Sequence, residues 1–336
     1  MRNILIALLL FLVACNKSTP PTLIPVEKTL ENHLRGLYQV DDNIAWASGT
    51  KCSVIKTING KDWTDVSVKD TANLDFRDIH AFNENEAVVL SAGNGVAIFH
   101  TGDGGSSWKL VYSDTNASVF FDGMDFNEQG IGFAFGDPIN GKMQLLKSDD
   151  FGKSWITITP ENQPELLENE AGFAASGTGI IVSDKAIKIA TGGGAKSRIL
   201  VSEIENLDWK YYDTPIASGD GTGIFSMSFM DELNGVIVGG NYIDSTNATS
   251  NCAITKDGGQ TWTLISNKNP RGYRSCVAAN QSGSELITSG RTGVEYSLDN
   301  GKSWLALSDQ GYYSVTIHES AGWAVGRYGK MAKIEL

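Results

Sequence analysis

The chain has 336 residues, 37 of them Gly, and a formal net charge of −12. That acidic balance argues against nucleic acid and against electrostatic docking on anionic lipid. Past residue 15 the only cysteines are Cys52, Cys252 and Cys276, an odd number and too few for a disulfide framework. The glycine share exceeds the usual ~7%, as a turn-dense β protein requires.

Arg2 precedes an apolar run from Ile4 to Ala14, too short to span a bilayer and suited to the core of a signal peptide. The run ends in Leu12-Val13-Ala14-Cys15, which resembles a bacterial lipobox. By that resemblance residues 1–14 are removed, and Cys15 becomes the first mature residue and carries the lipid. Several acyl chains hold a protein firmly, since each buried CH₂ contributes about 0.8 kcal/mol. Residues 15–21 are then the lipidated cysteine and a polar tether. The expected location is the bacterial cell envelope, facing the periplasm or the surface, with the membrane reached through Cys15.

Residues 22–336 read as one domain of repeats. A turn motif ending in Trp recurs as TGDGGSSW at 101–108, SDDFGKSW at 148–155, TKDGGQTW at 255–262 and SLDNGKSW at 297–304. Worn copies, TINGKDW at 57–63 and SEIENLDW at 202–209, fill the gaps, so Trp recurs every 42 to 54 residues. That period, with short alternating strands between turns, predicts an all-β, seven-bladed β-propeller of four-stranded antiparallel blades. The blades run at about 34–63, 76–108, 119–155, 173–209, 222–262, 273–304 and 312–336. The last has only three strands and no Asp turn, and an open edge invites aggregation. The segment 22–30 is the expected donor of its fourth strand.

Within the turn, Asp103, Asp150, Asp257 and Asp299 are expected to accept backbone N–H groups, while Gly supplies positive φ. The Ser or Thr before the Trp adds a local bond, and the Trp packs on a neighbouring strand. These copies resemble the BNR, or Asp-box, repeat proteins of the sialidase-like superfamily, which implies that the four Asp residues are structural clips. FGDP at 135–138, FAASGT at 173–178, TGGG at 191–194, TPIASG at 214–219, GIFS at 223–226 and GYRS at 272–275 narrow the likeness. They resemble the bacterial Asp-box propellers related to the photosystem II stability and assembly factor. That resemblance implies a non-enzymatic binding or assembly role with a protein partner.

No cofactor is expected. No G-x-G-x-x-G opens a helix after a strand, and Gly192–Ser197 lacks the ending and context of a phosphate loop. His33, His80, His100 and His318 are scattered, without metal-ligand spacing. Arginine is more informative, with only seven in the mature chain. Aligning inner strands on Phe82 places Arg35, Arg77 and Arg274 at one position, the start of the innermost strand. Arg291 and Arg327 follow Gly in the loop between second and third strands, where Asp137 sits in blade three. All six fall at the face opposite the Asp turns. Because Arg presents a planar fork to carboxylate or phosphate, the set predicts a site for an anionic ligand or protein segment. The bland reading pairs each Arg with a local carboxylate such as Asp78, Asp137 or Glu295. The long loop 241–251 overhangs the same face, as a lid, a partner contact or a tolerated insertion. The alternative function is a sialidase-like glycoside hydrolase, but the nearest match to its early Phe-Arg-Ile-Pro motif is Phe76-Arg77-Asp78-Ile79. No Glu is clearly placed to pair with Tyr312 or Tyr313.

Overall fold

A computed structural model describes residues 20–27, 30–69, 73–93 and 95–336. The expected signal segment and lipidated Cys15 lie outside the described residues.

The first strand is Thr22–Val26 (β1). Blade one then comprises Leu34–Gln39, Ala45–Gly49, Val54–Thr57 and Trp63–Asp65 (β2–β5), and blade two Asp75–Ala81, Ala87–Ala92, Val96–Thr101 and Lys109–Asp114 (β6–β9). Blade three holds Phe121–Phe126, Gly132–Ile139, Lys142–Ser148 and Ile156–Thr157 (β10–β13), and blade four Ile180–Val182, Ala186–Ala190, Arg198–Glu203 and Lys210–Asp213 (β14–β17). Blade five is Thr222–Phe229, Gly235–Asn241, Cys252–Thr255 and Thr263–Leu264 (β18–β21). Blade six is Cys276–Ala279, Leu286–Gly290, Gly293–Ser297 and Leu305–Ser308 (β22–β25), and blade seven Ser314–Ile317, Ala321–Val325 and Met331–Glu335 (β26–β28). Each forms an antiparallel four-stranded sheet, the seventh in the order β1-β28-β27-β26. The protein is therefore an all-β ring of seven blades, closed by its N-terminal strand. Pairing runs from Thr22 opposite Glu335 to Val26 opposite Met331, which covers the edge that β28 would otherwise expose.

The core lies between blades rather than within them. Phe133, Phe135 and Leu145 of blade three meet Ile180, Ile189 and Leu200 of blade four, and every other junction has its own apolar cluster. At the closing junction Leu34 and Ile55 pack against Trp323 and Val325, with Val26 beside them. This arrangement explains the recurring Trp. Trp63, Trp108, Trp155, Trp209, Trp262 and Trp304 each pack into the junction with the preceding blade.

The turns before them are clipped as carboxylate chemistry dictates. Asp103 Oδ1 accepts the Ser107 N–H at 2.9 Å and Oδ2 the Ser107 hydroxyl at 2.6 Å. Thr101 Oγ1 accepts Gly105 N–H at 2.9 Å. Ser148–Asp150–Ser154, Thr255–Asp257–Thr261 and Ser297–Asp299–Ser303 repeat the pattern. Hydrogen bonding to the ionised form holds the Asp257 carboxyl down to about 2.

Candidate functional site

The innermost strand of several blades begins with a β-bulge, and the bulged residues turn toward one end of the central channel. Register shifts fall at Arg35 in blade one, Arg77 in blade two, Asp122 in blade three and Phe225 in blade five. In blades six and seven the corresponding place is taken by Ser275, whose N–H donates to Ser289 O at 2.8 Å, and Tyr313, whose N–H donates to Val325 O at 2.9 Å. All six residues line one cavity of about 390 Å³, together with Asp137, Arg291 and the blade-four loop 172–175. A bulge re-aims a side chain at the cost of a ladder bond. Here hydroxyls replace the lost partners: Ser275 Oγ donates to Tyr313 O at 2.6 Å, Ser176 Oγ to Ser275 O at 2.8 Å, and Ser314 Oγ to Arg35 O.

In blades one, three, five and six a glycine in the second strand permits the close approach, whereas blade two has Ser91 there. A Cβ at Gly49, Gly136, Gly239 or Gly290 would collide with the carbonyl of His33, Phe120, Gly223 or Tyr273 respectively. Those pairings fix the equivalences between blades. Arg274 follows Tyr273 as Leu34 follows His33, so Arg274 occupies the position before the bulge, and Ser275 matches Arg35. In five other blades the equivalent position holds Leu34, Phe76, Phe121, Ile224 and Tyr312, all buried.

Arg274 is accordingly not at the mouth. It is 0% exposed, pairs with Glu295 at 3.0 Å, and donates to Gly293 O at 2.6 Å and Thr292 Oγ1 at 2.8 Å. Burial pulls its guanidinium down to about 10, with Glu295 opposing the shift. The sequence alignment on Phe82 put Arg274 one residue out of register. Because strand side chains alternate faces, that slip moves it from the channel into the interior. For this residue the bland reading, a local carboxylate partner, describes the geometry.

The remaining sequence-selected residues come together. Arg35, Arg77, Arg291 and Asp137 line the main cavity. Arg327 lies in an adjoining one that shares Arg291 and Tyr313, and its Nε donates to Tyr313 Oη at 2.8 Å. Arg35 stacks over the Tyr313 ring at 4.9 Å. The partner of Arg35 and Arg77 is not Asp78 but Asp75, whose Oδ2 lies 3.4 Å from Arg35 Nε and 3.0 Å from Arg77 Nε. Asp78 instead lies buried beneath, accepting the Ile79 and Met124 N–H groups at 2.8 and 2.7 Å. Burial lowers the Arg35 guanidinium from its ordinary value, Asp75 opposes this, and Arg77 and Arg327 add to it. Such mutual repulsion among cations favours an anion between them.

Sequence reasoning missed Asp75, Asp122, Ser275 and an aromatic wall, and weighed Tyr313 only as a hydrolase nucleophile. Phe173 stacks on Phe225 at 4.0 Å between centroids, and Phe225 meets Tyr273 edge-on at 4.7 Å. In blades one, three, five and six the signal that would have found the residues facing the channel is the glycine of the second strand, read against the strand before it. The wall was carried by segments noted only for their resemblance: Phe173 in FAASGT, Phe225 in GIFS, and Tyr273 with Ser275 in GYRS. The loop 241–251 contributes Tyr242 to the cavity and is tied down where Asn251 Nδ2 donates to Pro270 O at 2.8 Å. Among the described residues no group of His, Cys, Asp and Glu is arranged to hold a metal ion.

No protein-family model matches the sequence, and no curated protein matches it. Among solved structures it is similar to YCF48 bound to a D1 peptide, with 16% identity, TM-score 0.64, and coverage of 95% of this chain and 98% of that one. It is equally similar to YCF48 from Cyanidioschyzon merolae, at 17% identity and TM-score 0.64, covering 94% of this chain and 99% of that one. A catalytically inactive virginiamycin B lyase from Staphylococcus aureus with quinupristin gives 12% identity and TM-score 0.65 over 94% and 100% of the two chains. At these identities the likeness is one of fold, a propeller shared by YCF48 and a lyase alike.

Proposed function

We propose that this chain is a lipid-anchored propeller of the bacterial cell envelope that binds an acidic segment of a partner protein in the cavity lined by Arg35, Arg77 and Arg291. The observation that carries the reading is the gathering of three guanidinium groups from three blades around one cavity, in a chain of net charge −12. Asp75 meets Arg35 and Arg77 through Nε, and Arg77 Nη1 also donates to Ala174 O at 3.2 Å, so the Arg35 fork keeps its outer edge for a ligand and Arg77 keeps its Nη2. The peptide seen with YCF48, a propeller of the same fold, supports a protein partner here. The anchor rests on the sequence from Ile4 to Cys15.

The test uses mature protein and fluorescent peptides that are matched except for Glu or Gln at one position. A hydrogen bond to a charged group is worth about 1.5–3 kcal/mol. Replacing Arg35 and Arg77 together by Ala therefore weakens Glu-peptide binding by at least about tenfold, with no change for the Gln peptide. Equal binding of both peptides by wild type would remove the reading.

One observation favours a second reading, a glycoside hydrolase. Asp122 and Asp137 share the cavity, and burial raises both carboxyls above their ordinary range, as a general acid requires. Against it, the only hydrogen-bonding partner of the Tyr313 hydroxyl among the described residues is Arg327 rather than a carboxylate base. Turnover of a fluorogenic sialoside by wild type, lost in Asp122→Asn, would establish the hydrolase instead.

A further inference from the structure

The cavity has two unlike halves. Arg35, Arg77 and Arg291 make one, and the Phe173–Phe225–Tyr273 wall makes the other. Asp122 lines the same space yet is only 2% exposed. Its Oδ2 is buried with no hydrogen-bond partner. Native proteins seldom leave a buried polar atom unsatisfied, and one in a cavity points to a missing ligand atom. Gly172 leaves the space beside that oxygen free of a side chain, since a Cβ there would come 2.7 Å from Oδ2 and 2.5 Å from the Phe135 ring.

Burial pushes the Asp122 carboxyl well above the usual range, the charge of Asp137 in its own blade adds to this, and Arg77 of blade two opposes it. A carboxyl kept unionised is a hydrogen-bond donor, and a donor beside guanidinium groups completes a socket for oxygen rather than for nitrogen.

We propose that Asp122 is a specificity-determining residue of this cavity: its carboxyl hydroxyl donates to an oxygen of a bound carboxylate whose flat or branched apolar group lies on the Phe173–Phe225–Tyr273 wall. The inference rests on the anion-binding reading of the arginines and adds the half that chooses among anions. In a protein partner the matching feature is an acidic group next to an aromatic or branched apolar side chain. An ammonium group is excluded, because it cannot accept the Asp122 proton and faces the arginines.

The experiment titrates mature protein with benzoate, acetate and benzylammonium by ligand-observed NMR. Benzoate is expected to bind about tenfold more tightly than acetate, and benzylammonium not at all. Phe225→Ala removes the preference for benzoate but leaves acetate unchanged. Asp122→Asn, whose amide still donates, keeps benzoate affinity within about threefold. Asp122→Leu, which fills similar space without a donor, loses about tenfold or more. Because the neutral carboxyl is the binding form, wild-type affinity for the ionised ligand is full below the Asp122 pKa of the free protein. It falls as pH rises through the higher pKa of the complex. Asp122→Asn flattens this slope, a change that a merely structural role would not produce. Variants are compared only after thermal melts show them folded.

Equal affinity for benzoate and acetate, with Asn and Leu at 122 indistinguishable, would overturn the inference. If binding of both were still lost in the Arg35→Ala, Arg77→Ala double variant, the arginine reading would survive that result. Benzylammonium binding that depends on Asp122 would overturn the inference by assigning an ionised carboxylate. Absence of any carboxylate binding to wild type would overturn both.

Discussion

Replacing Arg274 tests the register of the whole ring. Arg274 is enclosed and its charge is matched by Glu295, itself 2% exposed. Breaking a buried ion pair from one side costs about 3–5 kcal/mol, because the other charge stays behind. Glu295 retains Arg271, whose N–H and Nε lie at 2.9 and 3.0 Å, so the cost for Arg274→Ala belongs near the lower end, about 3 kcal/mol. Against a typical total of about 5–15 kcal/mol, that is a large loss. Replacing both charges, as Arg274→Met with Glu295→Gln, restores most of it, since five other blades fill this position with an apolar side chain or Tyr. Urea unfolding followed by Trp fluorescence reads the stability, and Glu-peptide binding to the folded fraction reads the site. The expected result is a lowered midpoint for Arg274→Ala, recovery in the double variant, and peptide affinity within about twofold of wild type in both. A wild-type midpoint with peptide binding abolished would place Arg274 at the mouth and refute the alignment through Gly49, Gly136, Gly239 and Gly290.

Truncation through residue 27 removes β1 and its five-residue pairing with β28, along with the packing of Leu23 and Val26. The shortened protein should melt lower and aggregate on size-exclusion chromatography; an unchanged melt would show that three strands suffice for blade seven. The Asp257 carboxyl, held at about 2 by Thr261, ties the stability of its turn to acid conditions. With a depressed folded pKa, the contribution is present above the unfolded value of 3.8 and is lost as pH falls toward 2, so Asp257→Asn should remove that part of the acid dependence in urea melts taken between pH 2 and pH 7. Cys15→Ala in the full precursor should move the protein from the membrane pellet to the soluble fraction, and equal pelleting of both forms would dispose of the lipid anchor.

The ring was legible in the sequence because it is written in short-range chemistry. The Asp, Gly and Ser/Thr of each turn bond to atoms within four residues of themselves. Their spacing therefore counts the blades without reference to anything distant. The missing fourth strand of blade seven was equally plain, since an unpaired edge calls for a partner and one β segment stood unassigned. The mouth of the channel was legible only in part. Arg35 and Arg77 are correctly aligned with each other because both lie one residue past a buried Leu34 or Phe76, whereas Arg274 stands in that buried place itself. A bulge inserts a single residue, and one residue reverses the direction of a strand side chain, so composition around Arg274 could not say which way it pointed.

Asp75, Asp122 and the wall of Phe173, Phe225 and Tyr273 lay further out of reach. Asp75 meets Arg35 across a blade junction, and Phe173 meets Phe225 across some fifty residues of sequence. The sequence by itself determined that a seven-bladed ring forms and how its hairpins are clipped, because those bonds are local. The tertiary structure alone decided which side chains face the channel and which buried carboxyl oxygen stays unpartnered there, because closure of the ring brings together groups from different blades.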